Sequence, residues 1–263
     1  MLAFPLFKQM TTPKLSLQLY SLRRETSADA ESTVRDVANL GYDGVELAGD
    51  YGWDVRKWCG MLDENGLAVV GAHVSLAALE HELAVLVEFH KAIGNTRLIV
   101  PSLPGELQTR IGYRDAAQRL TNVSRKLRDE GFSLLYHNHA FEFDRLDDGS
   151  RGMDILLNET DPADVQFEFD TYWLERGGED ARAFLEKHAA RVGMIHAKEL
   201  RKRDGADVPA GQGDVDFKAI IPLAIQREWP VVVEFEGENA VDAVRKSAAY
   251  LRGILDAGTP AAD

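Results

Sequence analysis

Eight short apolar segments recur along the chain, each followed by a stretch of helical periodicity, and this alternation leaves few architectures open. The segments are residues 15–20, 44–47, 68–74, 97–100, 133–139, 165–170, 192–196 and 231–235. The helical stretches are residues 30–40, 55–65, 76–93, 113–130, 152–158, 180–190, 217–227 and 240–256, with Ser27 or Asp29 as N-cap of the first. Gly41, Gly66, Gly94 and Gly131 punctuate the early ones. Strands of continuous apolar character belong to a parallel sheet covered on both faces. In a chain of 263 residues, eight such units predict an α/β fold, the closed (β/α)8 TIM barrel. An open doubly wound sheet is the alternative, but no G-x-G-x-x-G follows the first strand, so its usual nucleotide site is missing. No Pro/Gly/Ser-rich linker divides residues 1–263, which read as a single domain.

In such a barrel the reacting groups come from the C-terminal ends of several strands. Here Glu46 ends the second strand and His73 stands near the end of the third; His137 and His139 end the fifth. Asp170 ends the sixth, His196 the seventh and Glu234 the eighth. His137 and His139, two apart on a strand, point the same way. Buried ionisable groups are expensive unless paired or bound to metal, so their concentration at one rim predicts a site. A divalent metal accounts for it: Glu142, Asp170, His196 and Glu234 would offer three carboxylates and one imidazole, a set suited to Mn, Co, Mg or Zn.

Composition narrows the partners. An apolar fraction of 45% and a charged fraction of 28% are those of a globular protein, and no apolar run approaches a membrane span. The net charge of −13 argues against a nucleic-acid partner, whose phosphates demand clustered Lys and Arg. Lys198, Arg201, Lys202 and Arg203 form the one basic cluster, read as a solvated loop or a substrate contact. With Cys59 alone no intrachain disulfide can form, in keeping with a cytoplasmic location. Residues 1–8 lack a basic segment and cleavage site and read as a leader strand or tail.

Several motifs together resemble the xylose isomerase-like TIM barrel superfamily, specifically the sugar phosphate isomerase/epimerase family. They are Leu17-Gln18-Leu19-Tyr20-Ser21, Gly41-Tyr42-Asp43-Gly44-Val45-Glu46, Tyr136-His137-Asn138-His139 with Phe141-Glu142-Phe143, and Asp170-Thr171-Tyr172-Trp173. The set continues with His196-Ala197-Lys198-Glu199, Gly211-Gln212-Gly213-Asp214-Val215-Asp216 and Val233-Glu234-Phe235-Glu236. The resemblance spans nearly the whole chain; its motifs are specific as a set and weak singly. It implies a metal held by a Glu, Asp, His, Glu quartet and acid/base chemistry on a sugar or polyol. Many relatives carry the first Glu where this chain has His137; Glu142 is then the expected ligand, with His137 the alternative. Glu236 stands where close relatives more often have Asp.

The expected activity is that of a metal-dependent isomerase or epimerase of keto sugars or keto polyols, moving the proton next to the carbonyl through a metal-stabilised enediolate. Glu142 and Glu234 are candidate bases, with His139 assisting and Lys198 holding a substrate oxygen. Glu46, His73, His137, Trp173 and Glu236 are candidate substrate contacts, with Tyr172 and Trp173 as an apolar wall. The alternatives are a lyase or dehydratase acting on 3-keto-glycosides or inososes, DNA repair of the endonuclease IV type, and a binding module without catalysis. Partners are thus a small sugar or polyol, no nucleic acid, no membrane, and a second copy in a possible homodimer.

Overall fold

A computed structural model of the protein describes residues 15–49 and 51–258, so the segment 1–8 lies outside the described residues. The strands are β1 (Ser16–Gln18), β2 (Gly44–Leu47), β3 (Ala68–His73), β4 (Arg97–Val100), β5 (Ser133–His137), β6 (Val165–Asp170), β7 (Val192–Ala197), β8 (Glu199–Arg201), β9 (Ala206–Val208) and β10 (Val231–Val233). All but β8 and β9 close into a parallel barrel in the order β1-β10-β7-β6-β5-β4-β3-β2. The register sets polar residues of neighbouring strands side by side: Gln18 with Glu46, His137 with Glu168, Asp170 with His196.

The helices are α1 (Arg23–Ala28), α2 (Ala30–Asn39), α3 (Val55–Asn65), α4 (Leu76–His81), α5 (Leu83–Ala92), α6 (Arg110–Asp129), α7 (Gly152–Glu159), α8 (Thr171–Arg176), α9 (Ala181–Lys187), α10 (Phe217–Arg227) and α11 (Ala240–Gly258). Short side-chain acceptors start many of them: Asp29 accepts from Ser32 N, Asp54 from Arg56 N and Lys57 N, and Asp180 from Ala183 N. Three departures from the sequence reading stand out. The helix expected over residues 76–93 is broken at Glu82, whose backbone is not helical (φ −124°, ψ 19°), although no Pro or Gly marks the spot. Two short helices were not foreseen: α8 follows β6 directly, and α1 follows β1 after a 3-10 turn, Leu19–Leu22, where the first strand was expected to continue. The polar excursion after β7 carries the antiparallel hairpin β8/β9.

Two apolar regions are built from these elements. The larger lies between the barrel wall and the helices; the smaller is a plug inside the barrel made of Val70, Ile99, Leu135, Met194 and Val232. Leu135, Met194 and Val232 each stand two residues before a polar group of the same strand or its extension, His137, His196 and Glu234. Period-two geometry therefore stacks a polar layer directly on the plug, towards the C-terminal ends of the strands. Among the described residues no helix is long and apolar enough to cross a membrane.

Candidate metal centre

His137, Asp170, His196 and Glu234 come from β5, β6, β7 and the end of β10, and one ligating atom of each lies within 4.8 Å of the others. All four are buried. Local structure explains how Asp170 is aimed. Its Oδ1 caps α8 by accepting from Trp173 N at 3.0 Å, and its own N–H donates to Asn138 Oδ1 at 3.0 Å. That leaves Oδ2 buried without a hydrogen-bond partner among the described residues. A lone carboxylate oxygen in such a place is costly, and a cation is a partner that would satisfy it. Two imidazoles and two carboxylates are a donor set that divalent transition ions accept, so these residues fit a metal.

The structure brings three of the expected four together and leaves Glu142 apart. Glu142 is buried, but both its oxygens are engaged elsewhere: Oε1 accepts from Tyr136 Oη at 2.7 Å and Oε2 from His139 N at 2.8 Å. The residue belongs to a one-turn 3-10 segment, Phe141–Phe143, where it ties the His139 loop to β5. It is absent from both groups of described residues that could hold a metal, the quartet above, in which His137 stands, and a second one of His73, His137, Glu168 and His196.

Glu168 is a site residue that the sequence reading passed over. Its Oε2 meets His73 Nε2 at 2.9 Å, His137 Nδ1 at 3.0 Å and His196 Nε2 at 3.1 Å. The signal was present: on β6, Glu168 alternates with Phe167 and Phe169 and shares its face with Asp170. Glu46 also turns inward and down, accepting from Gln18 Nε2 at 3.0 Å and lying 2.6 Å from His196 Nε2. It is therefore part of the polar layer and not a lining residue of the cavity above.

That cavity, about 490 Å³, opens over the cluster and is lined by His73, His137, His139, Glu234 and Glu236, with Tyr20, Pro101 and Ser102 at the wall. His139 lies between Phe141 and Trp173, ring centroids 5.6 Å and 5.1 Å away, and its Nδ1 is buried without a partner among the described residues. Trp173 is thus a backing for His139, one layer behind the cavity surface. Lys198 is almost wholly buried, its Nζ 3.4 Å from Glu234 Oε2, paired with Glu236, and over the rings of Trp173 and Tyr172 at 5.1 and 5.4 Å.

Electrostatics follow from this crowding. Burial, reinforced by the charge of Glu234, pushes the Asp170 carboxyl up to about 8 against the pull of Lys198. Burial and the charge of Glu168 raise Glu46 to about 7. Burial opposes ionisation of Glu234 too, but the Lys198 ammonium and His196 hold it well below the usual carboxylate range. Burial takes His137 down to about 3 and His139 to about 4, so both rings are neutral near pH 7 and keep a lone pair. His196 is different: despite burial, Glu168 and Glu46 hold it well above its ordinary value.

Comparison with known proteins agrees with the barrel. Residues 34–254 match the xylose isomerase-like TIM barrel family. An inosose dehydratase from Clostridium beijerinckii is 25% identical over 251 residues, covering 80% of this chain and 83% of that one. Among solved structures, a sugar phosphate isomerase/epimerase from Parabacteroides distasonis superposes with a TM-score of 0.81 at 22% identity, over 96% of this chain and 98% of that one. The probable 3-DHS dehydratase AsbF from Bacillus anthracis gives 0.74 at 15% identity, over 91% and 98%. At those identities the two structures speak for the fold alone. The match over residues 34–254, on a closed barrel whose polar rim gathers His, Asp and Glu from four strands, makes this chain a member of the xylose isomerase-like TIM barrel family.

Proposed function

We propose that this chain is a metal-dependent enzyme that removes the proton next to the carbonyl of a keto sugar or keto polyol, with isomerisation or epimerisation as the outcome. The observation that carries the reading is the convergence of His137, Asp170, His196 and Glu234 beneath an open cavity, with Asp170 Oδ2 left without a partner among the described residues. These four residues would hold a divalent cation, which when bound supplies Lewis-acid polarisation of the carbonyl. Two nitrogen donors favour Mn, Co or Zn over Mg.

The chain's own groups handle the rest. Glu234, ionised and at the cavity wall, is placed to take the proton and, once protonated, to return it or give it to a leaving hydroxyl; His139, neutral at the same wall, is placed to accept a hydrogen bond or a proton from a substrate hydroxyl. Lys198, locked between Glu234 and Glu236, steadies negative charge as it forms on substrate oxygen. Return of the proton at the neighbouring carbon gives an isomer, and return on the opposite face gives an epimer. Loss of a β-hydroxyl as water gives a dehydrated product.

Dehydration is the second reading, and two observations favour it. The similarity to an inosose dehydratase extends over most of both chains. The withdrawal of Glu142 into its bonds with Tyr136 and His139 also removes one of the two carboxylates a two-base epimerase was expected to use.

Incubating the metal-loaded protein with keto sugars and inososes in deuterated water tests both. Solvent deuterium at the carbon next to the carbonyl, with an isomer or epimer formed, supports the first reading; loss of water supports the second. Protein shown to bind metal that neither exchanges nor converts any member of the panel would sink the proposal.

A further inference from the structure

Beneath the four candidate ligands lies a second polar layer, Gln18, Glu46, His73 and Glu168, of which only His73 has any appreciable exposure. Its contacts fall on one particular nitrogen of each ligating ring. Glu168 Oε2 is 3.0 Å from His137 Nδ1, and Glu46 Oε2 is 2.6 Å from His196 Nε2. The other nitrogen of His196, Nδ1, is the one that faces the quartet, 3.3 Å from Glu234 Oε2 and 3.8 Å from Asp170 Oδ2. For His137 the nitrogen not engaged by Glu168 is Nε2. Each carboxylate is steadied from its far side: Gln18 Nε2 donates to Glu46 Oε2 at 3.0 Å, and His73 Nε2 to Glu168 Oε2 at 2.9 Å.

An imidazole that keeps its proton on the nitrogen facing a carboxylate offers the opposite nitrogen as a lone pair. We propose that Glu168 and Glu46 are positioning residues that fix which nitrogens bind the ion, Nε2 of His137 and Nδ1 of His196. This rests on the reading of His137, Asp170, His196 and Glu234 as a metal site. The two carboxylates do this by geometry and by charge: they hold the rings in register and make them better donors, and they do not touch the ion or the substrate. Removing such a partner from behind a ligating histidine weakens metal binding by about 10- to 100-fold.

The decisive measurement reads the rings of the whole protein loaded with Zn2+, by long-range 1H–15N correlation on histidine-labelled samples. The expected pattern is a bound Nδ1 with a protonated Nε2 for His196, and the reverse for His137. The second measurement titrates Glu168→Gln and Glu46→Gln with Co2+. Both should bind about 10- to 100-fold more weakly than wild type, with altered visible absorption and with melting temperatures that do not account for the loss. A merely structural role would lower the melting temperature and leave affinity and spectrum alone. Wild-type rings bound through the opposite nitrogens would overturn the assignment, as would variants that match wild type in affinity and spectrum while wild type binds Co2+. A wild-type protein that binds neither ion would overturn the site reading itself, and the assignment with it. Should either variant fail to fold, the ring pattern of the wild type decides alone.

Discussion

Tyr136 Oη lies 2.7 Å from Glu142 Oε1, and neither residue has any exposure to solvent. The pair turns a carboxylate next to the site into a structural tie. Glu142→Gln should therefore bind Co2+ within about threefold of wild type by calorimetry, whereas Asp170→Asn, which alters an oxygen with no other partner, should lose at least about tenfold. Tyr136→Phe leaves the buried carboxylate one donor short and should cost about 1–3 kcal/mol in urea unfolding. Equal loss of metal in Glu142→Gln and Asp170→Asn would return Glu142 to the ligand set.

Glu234→Gln separates binding from chemistry. It keeps the shape and one oxygen donor but takes away a negative charge beside His196 and Lys198 and a proton acceptor at the cavity wall. Metal affinity should fall, and turnover measured with metal in excess should fall further, by about 10²–10⁴. Full recovery of turnover at high metal would show that Glu234 is only a ligand.

Acid should destabilise the fold through a residue far from the site. His90, on α5, is 4% exposed, and burial depresses its pKa from 6.5 to about 4. Its Nδ1 faces Asn95 Nδ2, an amide whose orientation is set by Arg97 N and Arg97 O, so that nitrogen must accept and not donate. A depressed folded-state pKa means that the unfolded chain takes up the proton first, so this stability is complete above pH 6.5 and drains away as pH falls towards 4. Between pH 7 and pH 5 wild type should lose about 2 kcal/mol more than His90→Gln, which keeps an acceptor but cannot titrate. Parallel urea-unfolding results for the two proteins at both pH values would contradict this.

Gly71 is a spacer for the polar layer. A Cβ there would lie 2.7 Å from Ile99 Cδ1 and 3.1 Å from Glu46 Oε1. Gly71→Ala should cost about 1–3 kcal/mol through overpacking. Ile99→Val, which removes the nearer clash, should recover part of it in the double variant. A cost that is strictly additive in the two changes would mean that the strand shifts instead.

The barrel could be read from the chain because its strands are continuously apolar and its helices are punctuated by glycine or opened by aspartate, as at Gly66 and Asp29. The convergence of Asp170, His196 and Glu234 could be read because strand ends in a barrel face one rim. The hydrogen bonds of Glu142 could not be read because separation along the chain says nothing about which groups have already claimed a carboxylate; Tyr136, six residues back, claims this one. Glu168 was missed for a complementary reason: it lies inside a strand, where only the alternation with Phe167 and Phe169 shows that it faces the barrel axis. The break at Glu82 has no counterpart in local sequence.

The plug of Val70, Ile99, Leu135, Met194 and Val232 makes the barrel a vessel with one mouth. Apolar side chains are a poor path for water, so a proton lifted from substrate goes back to the same molecule or reaches the bath chiefly by leaving past it. While substrate fills the mouth, a single base that takes and returns the proton keeps it from the bath. Isotope washout should then track how long each ligand stays: a tightly held polyol keeps its original hydrogen through many turnovers of the proton, and a loosely held one exchanges it with the bath.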